Sequence, residues 1–340
     1  MKVGIALSGG IDSSFAGWIL KSQGFSLIGI FFKTLYTPEE QIFAAKRVAD
    51  ALEIPLHILD VSKEFEKFVV KRFVQEYEKG RTPNPCVFCN RFIKFGLMWE
   101  KCKELGAEQL ATGHYVRKET FKGVWLLKRG IDPNKDQSYF LGLISPRLIK
   151  DLVFPLGDFF KKEVEAKVKE VFSFLKGSSS QDICFLKNLS LKDFLKRFIP
   201  ERRGKVVFKG KVVGIHPGYQ FFTIGQRKGL NIPLGKPAYV VQIVPEENLI
   251  VLGEKEDLLE SSFFIENFNE FLPVMQWKEP IYVKVRYRSP LYKLKKLIPH
   301  GERWQVMLEE PAQAITPGQV CAFYYKDFLL GAGIISKPLK

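Results

Sequence analysis

The chain has 340 residues, enough for two or three domains with hydrophobic cores, which excludes a peptide scaffold stapled by disulfides or metal. It is 46% hydrophobic and 26% charged, and no apolar stretch approaches the roughly 20 residues that span a bilayer. Basic residues outnumber acidic ones by 52 to 37, and the net charge of +15 suits a polyanionic partner. The N-terminus lacks the pattern of an export signal. We therefore predict a cytoplasmic protein with no membrane association.

The first part of the chain alternates short apolar strands with amphipathic helices, as in a series of βαβ units. Strands are predicted at 3–7, 27–32, 56–60 and 109–112, and helices at 13–22, 38–52, 63–78 and 91–105. This series predicts a parallel sheet covered by helices on both faces, with ligands at the carboxyl ends of the strands. We further expect a strand at 122–128 and mostly helix over 145–175, with Lys161, Lys162 and Glu163 on its solvent side.

From Pro200 onward, short β-branched runs separated by glycine and proline replace the helical patterns. The whole pattern indicates an α/β fold class with β-rich additions at the C-terminal end. We expect a parallel-sheet catalytic domain over 1–200, a small β-rich central domain over 201–260 and a C-terminal β-barrel over 261–340.

Both predicted β domains have long segments with no acidic residue. Eight Lys or Arg lie between Arg202 and Pro245, and six lie between 280 and 301. In the second segment Lys284, Arg286 and Arg288 alternate along a strand predicted over 281–287. They would form a cationic row on one strand face that could follow a phosphate backbone.

The first predicted strand runs directly into Ser8-Gly9-Gly10-Ile11-Asp12-Ser13-Ser14 and then into a helix. Glycines allow the backbone to approach an anion, the serine hydroxyls donate hydrogen bonds, and the helix N-terminus adds a positive dipole. The segment lacks the lysine of a Walker A loop. Two interpretations fit these residues: a phosphate cradle, or an ordinary glycine-rich turn in which Asp12 caps the helix.

Five cysteines in a chain without an export signal indicate thiol or metal chemistry rather than a disulfide framework. Cys86 and Cys89 form a C-x-x-C pair, which fits a redox couple, half of a zinc site or two core thiols. Because Cys89 precedes the helix predicted from 91, the positive helix end would lower the pKa of its thiol. Cys184 stands about a hundred residues further along, and Cys102 and Cys321 are predicted to be packing thiols.

Seven strings in this order resemble the bacterial tRNA-specific 2-thiouridylases of the PP-loop ATP pyrophosphatase superfamily. They are A-L-S-G-G-I-D-S, T-P-N-P-C-V-F-C-N-R-x-I-K-F, A-T-G-H-Y, K-D-Q-S-Y-F-L, S-Q-D-I-C-F, G-x-H-x-G-Y-Q-F-F-T-I-G-Q-R-K-G-L and R-Y-R. The resemblance runs from Met1 to about Gly333. It is specific because it combines a PP-loop, two separated cysteines and a β-rich C-terminal half.

The resemblance implies a transferase that replaces the C2 oxygen of the wobble uridine of tRNA with sulfur. ATP with Mg²⁺ would adenylate that oxygen, and a sulfur nucleophile would then displace AMP. Cys184 would carry a persulfide delivered by a sulfur-donor protein, and Cys89 would be the partner nucleophile. Attack by Cys89 would release hydrosulfide or leave a Cys89–Cys184 disulfide for a reductant to reopen.

The resemblance also implies the binding residues. Those for ATP are Ala6, Leu7, Ser8, Gly9, Gly10, Ile11, Asp12, Ser13, Phe32 and Gly113, with Asp12 suited to Mg²⁺. Those for the flipped target base are Asn84, Pro85 and Cys86. Those for the rest of the tRNA are His114, Lys135, Asp136, Gln137, Arg286, Tyr287 and Gln319. Considered without the resemblance, His114 is more typical of a structural histidine and the Lys135-Asp136 pair of a solvated turn.

One position departs from the family pattern. Many members have aspartate, with a general acid/base role, where this chain has Cys86, so a thiol would have to serve there. Cys86, Cys89 and Cys184 could instead hold a [4Fe-4S] cluster with one iron open to hydrosulfide, which we keep as an alternative route.

Two rival functions are a PP-loop ligase that adenylates a small molecule and an RNA-binding protein with a degenerate ATP fold. The ligase would not need paired cysteines and two basic β domains. The RNA-binding protein would not keep an intact S-G-G-x-D-S.

Overall fold

The computed structural model describes residues 1–175, 183–186, 189–230 and 232–338. The helices are α1 (Ile11–Ser22), α2 (Glu39–Ala51), α3 (62–78), α4 (85–104), α5 (Lys161–Val171) and α6 (Leu191–Leu195). The strands are β1 (Lys2–Ala6), β2 (Ser26–Lys33), β3 (Leu56–Asp60), β4 (Gln109–Ala111), β5 (Val116–Phe121), β6 (Val124–Arg129), β7 (Leu152–Val153), β8 (Gly204–Phe208), β9 (Lys211–His216), β10 (Tyr239–Val244), β11 (Leu249–Gly253), β12 (Leu259–Glu270), β13 (Tyr282–Lys284), β14 (Tyr292–His300), β15 (Arg303–Gln313), β16 (Val320–Tyr325) and β17 (Phe328–Pro338). No helix among these residues is long and apolar enough to cross a membrane.

The N-terminal domain contains a five-stranded sheet in the order β3-β2-β1-β4-β7, and its neighbouring strands are parallel. The chain moves from β1 outward to β2 and β3, then returns to the other side of β1 at β4. Such a reversal opens a crevice at the carboxyl ends of β1 and β4, where α/β sheets bind ligands. The predicted α/β fold class is confirmed.

Two further sheets form the C-terminal half. The central sheet has the order β10-β11-β8-β9, in which only β11 and β8 are parallel. The last sheet closes into a six-stranded barrel because β12 pairs with both β15 and β17. The hairpin of β5 and β6, from the N-terminal part of the chain, adds to this sheet where Lys128 pairs with Phe328. The predicted barrel is confirmed, and the hairpin ties the first domain to it.

Three local predictions were wrong. Instead of mostly helix over 145–175, the structure has a 3₁₀ turn (Pro146–Asp151), β7 and then α5, because Pro155 and Gly157 interrupt a continuous helix. Helix α4 begins at Pro85, six residues before the predicted start. Strand β13 ends at Lys284.

The end of β13 removes the predicted cationic row. Beyond Lys284 the chain turns, and the Ser289 hydroxyl accepts hydrogen bonds from the backbone N–H groups of Val285 and Arg286 at 3.2 and 3.3 Å. Arg286 and Arg288 therefore do not continue the strand face of Lys284, and the three cations do not form one track.

Helix α4 lies where the three sheets meet. Its residues Phe95 and Trp99 belong to a hydrophobic core that includes Phe323 of the barrel. On another side, Cys89 and Ile93 belong to a second core, shared with α3 and the central sheet. Burial of both faces fixes this helix relative to all three domains.

Candidate functional site

The loop after β1 has the geometry of an anion cradle. Gly9 has φ +76°, and a Cβ there would lie 2.8 Å from the backbone nitrogen of Ala45 in α2, so only glycine fits. The Ser8 backbone N–H donates to Ser13 Oγ at 3.1 Å, which holds the loop closed. The N-cap of α1 is Gly10, with no side-chain cap. The helix therefore begins with backbone N–H groups available to an anion, and Asp12 is not its cap.

Gly113 brings the end of β4 against this loop. A Cβ at Gly113 would lie 2.8 Å from the Asp12 carbonyl carbon and 2.9 Å from the Ser13 nitrogen. Leu7 and Phe32 complete the neighbourhood: Leu7 N–H donates to the Ile30 carbonyl at 2.9 Å, and Phe32 lies partly buried near the end of β2. The predicted ATP residues therefore gather at the crevice between β1 and β4.

The Asp12 carboxylate has two partners from distant parts of the chain. Lys161 Nζ lies 2.6 Å from Asp12 Oδ1, and the Tyr115 hydroxyl donates to the same oxygen at 2.8 Å. The Lys161 side chain is only 9% exposed and that of Asp12 is 38% exposed. Burial, followed by the charge of Asp12, raises the pKa of Tyr115 far above its usual value, so this hydroxyl stays a donor. The predicted solvent position of Lys161 was wrong, because it starts α5 on the buried face of Val164 and Val168.

Helix α4 carries the C-x-x-C pair at its N-terminal end. The Asn84 side chain caps the helix by accepting from the Cys86 N–H at 3.1 Å, and Pro85 occupies the first helical position. Cys86 is exposed and Cys89 is buried. Burial raises the pKa of the Cys89 thiol to about 12. The predicted lowering of this pKa was wrong, because Cys89 lies inside α4 rather than before its N-terminus.

Cys184 lies near the C-x-x-C pair, although it is about a hundred residues further along the chain. It is exposed, while the adjacent Phe185 packs its ring against Phe73 of α3 and Phe194 of α6, each with centroids 5.2 Å apart. The remainder of that predicted motif, Ser180, Gln181 and Asp182, lies outside the described residues. A thiolate at Cys86 would raise the pKa of Cys184, and a thiolate at Cys184 would raise that of Cys89, so these thiols are near neighbours. The structure thus brings the three predicted cysteines into one cluster.

Lys94 is the cation of this cysteine cluster. At the buried Cys89, desolvation is the largest effect and raises the pKa, while the charge of Lys94 acts in the opposite direction there and also at Cys86 and Cys184. Lys94 follows Cys89 by five residues in a π-helical stretch (Cys89–Met98), so the two side chains share one helix face. Sequence reasoning did not single out Lys94, although it lies in the quoted motif.

We expect the thiol of Cys89 to react slowly at neutral pH in the free protein. Burial raises its pKa from 9.0 to about 12, so at pH 8 its thiolate fraction is about 1000-fold below that of an ordinary cysteine. Iodoacetamide alkylation of Cys89, followed by peptide mass spectrometry, should still be rising at pH 10. In urea the profile should level near pH 9, and a plateau near pH 9 in the native protein would contradict the buried environment.

The cysteine cluster is not arranged as a metal site. Among residues 1–175, 183–186, 189–230 and 232–338, no group of three or more His, Cys, Asp or Glu is placed to hold a metal ion. In this arrangement the three thiols do not fit the [4Fe-4S] alternative.

A short segment joins the phosphate loop to the cysteines. Directly after Gly113, His114 is 7% exposed, and its ring lies 5.8 Å from that of Phe95, the neighbour of Lys94. His114 Nδ1 is 2.8 Å from Thr112 Oγ1. Burial, with a further contribution from Lys94, lowers the pKa of His114 well below 6.5, which keeps the ring neutral. The structure therefore places His114 inside the protein, between the two parts of the site.

Among the other residues predicted to contact tRNA, those at 135–137 differ in how far their side chains are exposed to solvent. Lys135 and Gln137 are half-exposed, and Gln137 Oε1 accepts from the Tyr115 N–H at 2.9 Å. Asp136 is 2% exposed and accepts hydrogen bonds from Gly130 and from Ser138. Its role in the structure is to shape the loop rather than to present a charge to solvent.

The remaining predicted tRNA contacts have side chains that interact with other parts of this protein: Arg286, Tyr287 and Gln319. Arg286 Nη2 donates to the Ile224 carbonyl at 2.9 Å and to the Thr316 hydroxyl, joining the central domain to the barrel. Tyr287 packs on Phe140, with ring centroids 4.4 Å apart. Gln319 Nε2 donates to the Thr82 carbonyl at 2.7 Å.

Two residues of the phosphate site were missed by sequence reasoning. Tyr115 lies in the quoted A-T-G-H-Y string, but the string alone does not show its bond to Asp12. Lys161 precedes Val164 by three residues and Val168 by seven, and this helical spacing could have indicated a buried lysine.

A parallel sheet with this loop and switch point defines a PP-loop nucleotide-binding domain, here followed by two β domains. Family models match three parts of the chain: "tRNA methyl transferase HUP domain" at 1–188, "tRNA methyl transferase PRC-barrel domain" at 192–254 and "Aminomethyltransferase beta-barrel domain" at 261–335. A tRNA-specific 2-thiouridylase from Caldanaerobacter subterraneus is 40% identical over 360 residues, covering 100% of this chain and 99% of its own. One from Campylobacter jejuni is 39% identical over 346 residues, covering 98% of this chain and 100% of its own.

The chain therefore belongs to the tRNA-specific 2-thiouridylase family. The U34-tRNA thiolase NcsA from Methanococcus maripaludis, solved with its [4Fe-4S] cluster, superposes with a TM-score of 0.35 and 18% identity over 58% of this chain and 66% of its own. That likeness is too low to support a structural argument.

Proposed function

We propose that this protein catalyses ATP-dependent 2-thiolation of the wobble uridine of tRNA. The observation that carries the proposal is the joining of a phosphate cradle to a cluster of three cysteines through the Gly113–His114 segment. A ligase that adenylates a small molecule needs only the first part. Thiolation needs both, since adenylation activates an oxygen that sulfur must then replace.

The residues at the crevice fit ATP as a substrate. The backbone at Gly9 and Gly10 and the start of α1 would take the phosphates, and Gly113 would let the nucleotide pass close to the sheet edge. Mg²⁺ also fits, because both observed bonds to Asp12 go to Oδ1 and one carboxylate with phosphate oxygens suffices for this ion. Bound there, Mg²⁺ would neutralise charge on the departing pyrophosphate. Lys161 would supply a second, fixed positive charge at the cradle.

The placement of the cysteines supports a persulfide route for the sulfur step. The thiolate of exposed Cys184 attacks the outer sulfur of a persulfide on a sulfur-donor protein, the donor's thiol is released, and Cys184 becomes a persulfide, Cys184–S–SH. The thiolate of Cys89 attacks Cys184 Sγ, the S–S bond of the persulfide breaks, and hydrosulfide leaves as a Cys89–Cys184 disulfide forms. Hydrosulfide attacks C2 of the adenylated uridine and AMP departs with the original oxygen. An external thiol reductant then restores both cysteines.

The target base would lie beside the N-terminal end of α4, at Asn84, Pro85 and Cys86, of which Cys86 is exposed. Since Asn84 Oδ1 is used in capping, its amide Nδ2 remains the group that could donate to a base. Lys135 and the basic segments of both β domains would contact the tRNA phosphates. The division of the chain into 1–200, 201–260 and 261–340 remains a prediction.

The decisive experiment is nucleoside mass spectrometry for 2-thiouridine, using unmodified tRNA, ATP, Mg²⁺ and a persulfide-generating sulfur source under anaerobic conditions. We expect 2-thiouridine in the absence of iron, together with pyrophosphate release that requires tRNA. Thiolation that required iron reconstitution would overturn the persulfide route. Pyrophosphate release without tRNA would overturn the proposed function in favour of a small-molecule ligase.

A further inference from the structure

The segment 78–84 runs from the last residue of α3 to the residue that caps α4, and residues 79–84 lie outside helices and strands. Its last residue, Asn84, fixes the first turn of the helix that carries Cys86 and Cys89. Whatever holds this segment therefore sets the position of two cysteines of the cluster.

The central domain holds the segment at three points. The Tyr219 hydroxyl donates to the Glu78 carbonyl at 2.6 Å. Gly80 has φ +69°, and a Cβ there would lie 2.8 Å from the Pro245 ring. The Thr82 hydroxyl lies 3.2 Å from that of Thr223. These contacts, at residues 78, 80 and 82, attach one side of the segment to the central domain.

The barrel holds the same segment from the other side. Arg81 pairs with Glu266 at 2.7 Å. The Thr82 N–H donates to the Pro317 carbonyl at 2.8 Å, and the Thr82 carbonyl accepts from Gln319 Nε2 at 2.7 Å. A Cβ at Gly318 would lie 2.9 Å from the Thr82 backbone. Thr82 thus bonds through its N–H, its carbonyl and its hydroxyl to domains outside its own.

We infer that Gln319 and Thr223 are positioning residues, which act through Thr82 to set the location of Cys86 and Cys89. This inference rests on the proposed function in so far as those cysteines belong to the thiolation site. Thr82 is two residues before the cap of α4, so a displacement of Thr82 passes directly to the helix start. A shift of about 1 Å at reacting groups is enough to cost roughly 100-fold in rate. Tyr219, Arg81 and Gly80 would preserve the overall path of the segment when one bond is lost.

This role differs from the tRNA contact that the family resemblance implies for Gln319. A tRNA contact predicts weaker tRNA binding when Gln319 is replaced. A positioning role predicts unchanged binding, slower chemistry and a looser segment 78–84. The two roles therefore separate in a comparison of Kd with single-turnover rate.

The test compares Gln319→Leu and Thr223→Val with Gln305→Leu as a matched control. Gln305 is also half-buried in the barrel, and its side chain donates a hydrogen bond to Ser262 Oγ at 3.0 Å, on the neighbouring barrel strand β12 rather than to segment 78–84. Hydrogen exchange of the amides in 79–84, tRNA Kd and single-turnover thiolation are measured for all three variants. We expect faster exchange and about 10-fold slower thiolation for the first two, with Kd within twofold of wild type, and no change for the control.

The exchange measurement needs neither tRNA nor sulfur, so it tests the positioning role even if thiolation is not the reaction. Unchanged exchange in both variants would overturn the inference. A Kd raised 10-fold by Gln319→Leu with unchanged exchange would also overturn it and assign Gln319 to the tRNA interface.

Discussion

Replacing Cys184 with serine is expected to abolish 2-thiouridine formation while leaving tRNA-dependent pyrophosphate release unchanged. Serine keeps the size of the side chain, but its oxygen cannot accept and hand on a sulfur atom as a thiol does. We expect thiolation to fall by about 10³-fold or more, because a nucleophile of the reaction is lost. The measurement pairs nucleoside mass spectrometry with a pyrophosphate assay on the same samples.

Cys102→Ala provides the control for loss of a thiol elsewhere in the chain. Cys102 is fully buried and packs beside Gly4, away from the cysteine cluster. Its replacement should cost roughly 1 kcal/mol of folding stability and leave thiolation intact. Normal thiolation by Cys184→Ser would remove Cys184 from the sulfur path.

Replacing Lys161 with methionine is expected to slow pyrophosphate release by about 100-fold. Methionine fills a similar space in the buried start of α5, but it removes the positive charge that lies 2.6 Å from Asp12. Loss of a fixed charge at a site where negative charge develops typically costs this much in rate. The tRNA Kd should not change, since Lys161 is buried next to the phosphate loop rather than on the surface.

Lys162→Met is the matched control, because Lys162 is the adjacent residue and is exposed. We expect it to release pyrophosphate at the wild-type rate. Because Asp12 is 38% exposed and can be hydrated when its partner is removed, Lys161→Met should also fold, which thermal melting would verify. A normal rate for Lys161→Met would show that the ion pair with Asp12 serves stability alone.

The local elements around the phosphate loop were predictable because their signals are local. Alternating apolar strands and amphipathic helices predict β1 to β4, and the serines and glycines of 8–14 predict the turn between β1 and α1. Both signals lie within short stretches of sequence: the periodicity of the side chains, and a glycine at position 9 where the backbone has a positive φ. The family resemblance added the cysteine and ATP residues; the structure gathers the ATP residues at the crevice between β1 and β4 and the three cysteines in a cluster of their own.

Other predictions failed where a distant residue decides the outcome. The thiol of Cys89 was expected to have a lowered pKa at a helix start, but Asn84 and Pro85 move that start upstream and the packed core raises its pKa. Lys161 resembled a solvated charge, yet it pairs with a carboxylate 149 residues away. Arg286 was expected on a strand face, but the strand ends before it, because the backbone N–H groups of Val285 and Arg286 bond to the hydroxyl of Ser289.

The sequence by itself determined the order of the three domains through short-range periodicity, and it indicated the phosphate loop and the reactive thiols through motifs that resemble those of a known family. Only the tertiary structure decided which charges face Asp12, how strongly each thiol holds its proton and what anchors segment 78–84. Those properties depend on contacts such as that of Gln319 with Thr82, 237 residues apart, and on the desolvation that such packing produces. No local pattern in the chain specifies these long-range contacts or the desolvation of each thiol.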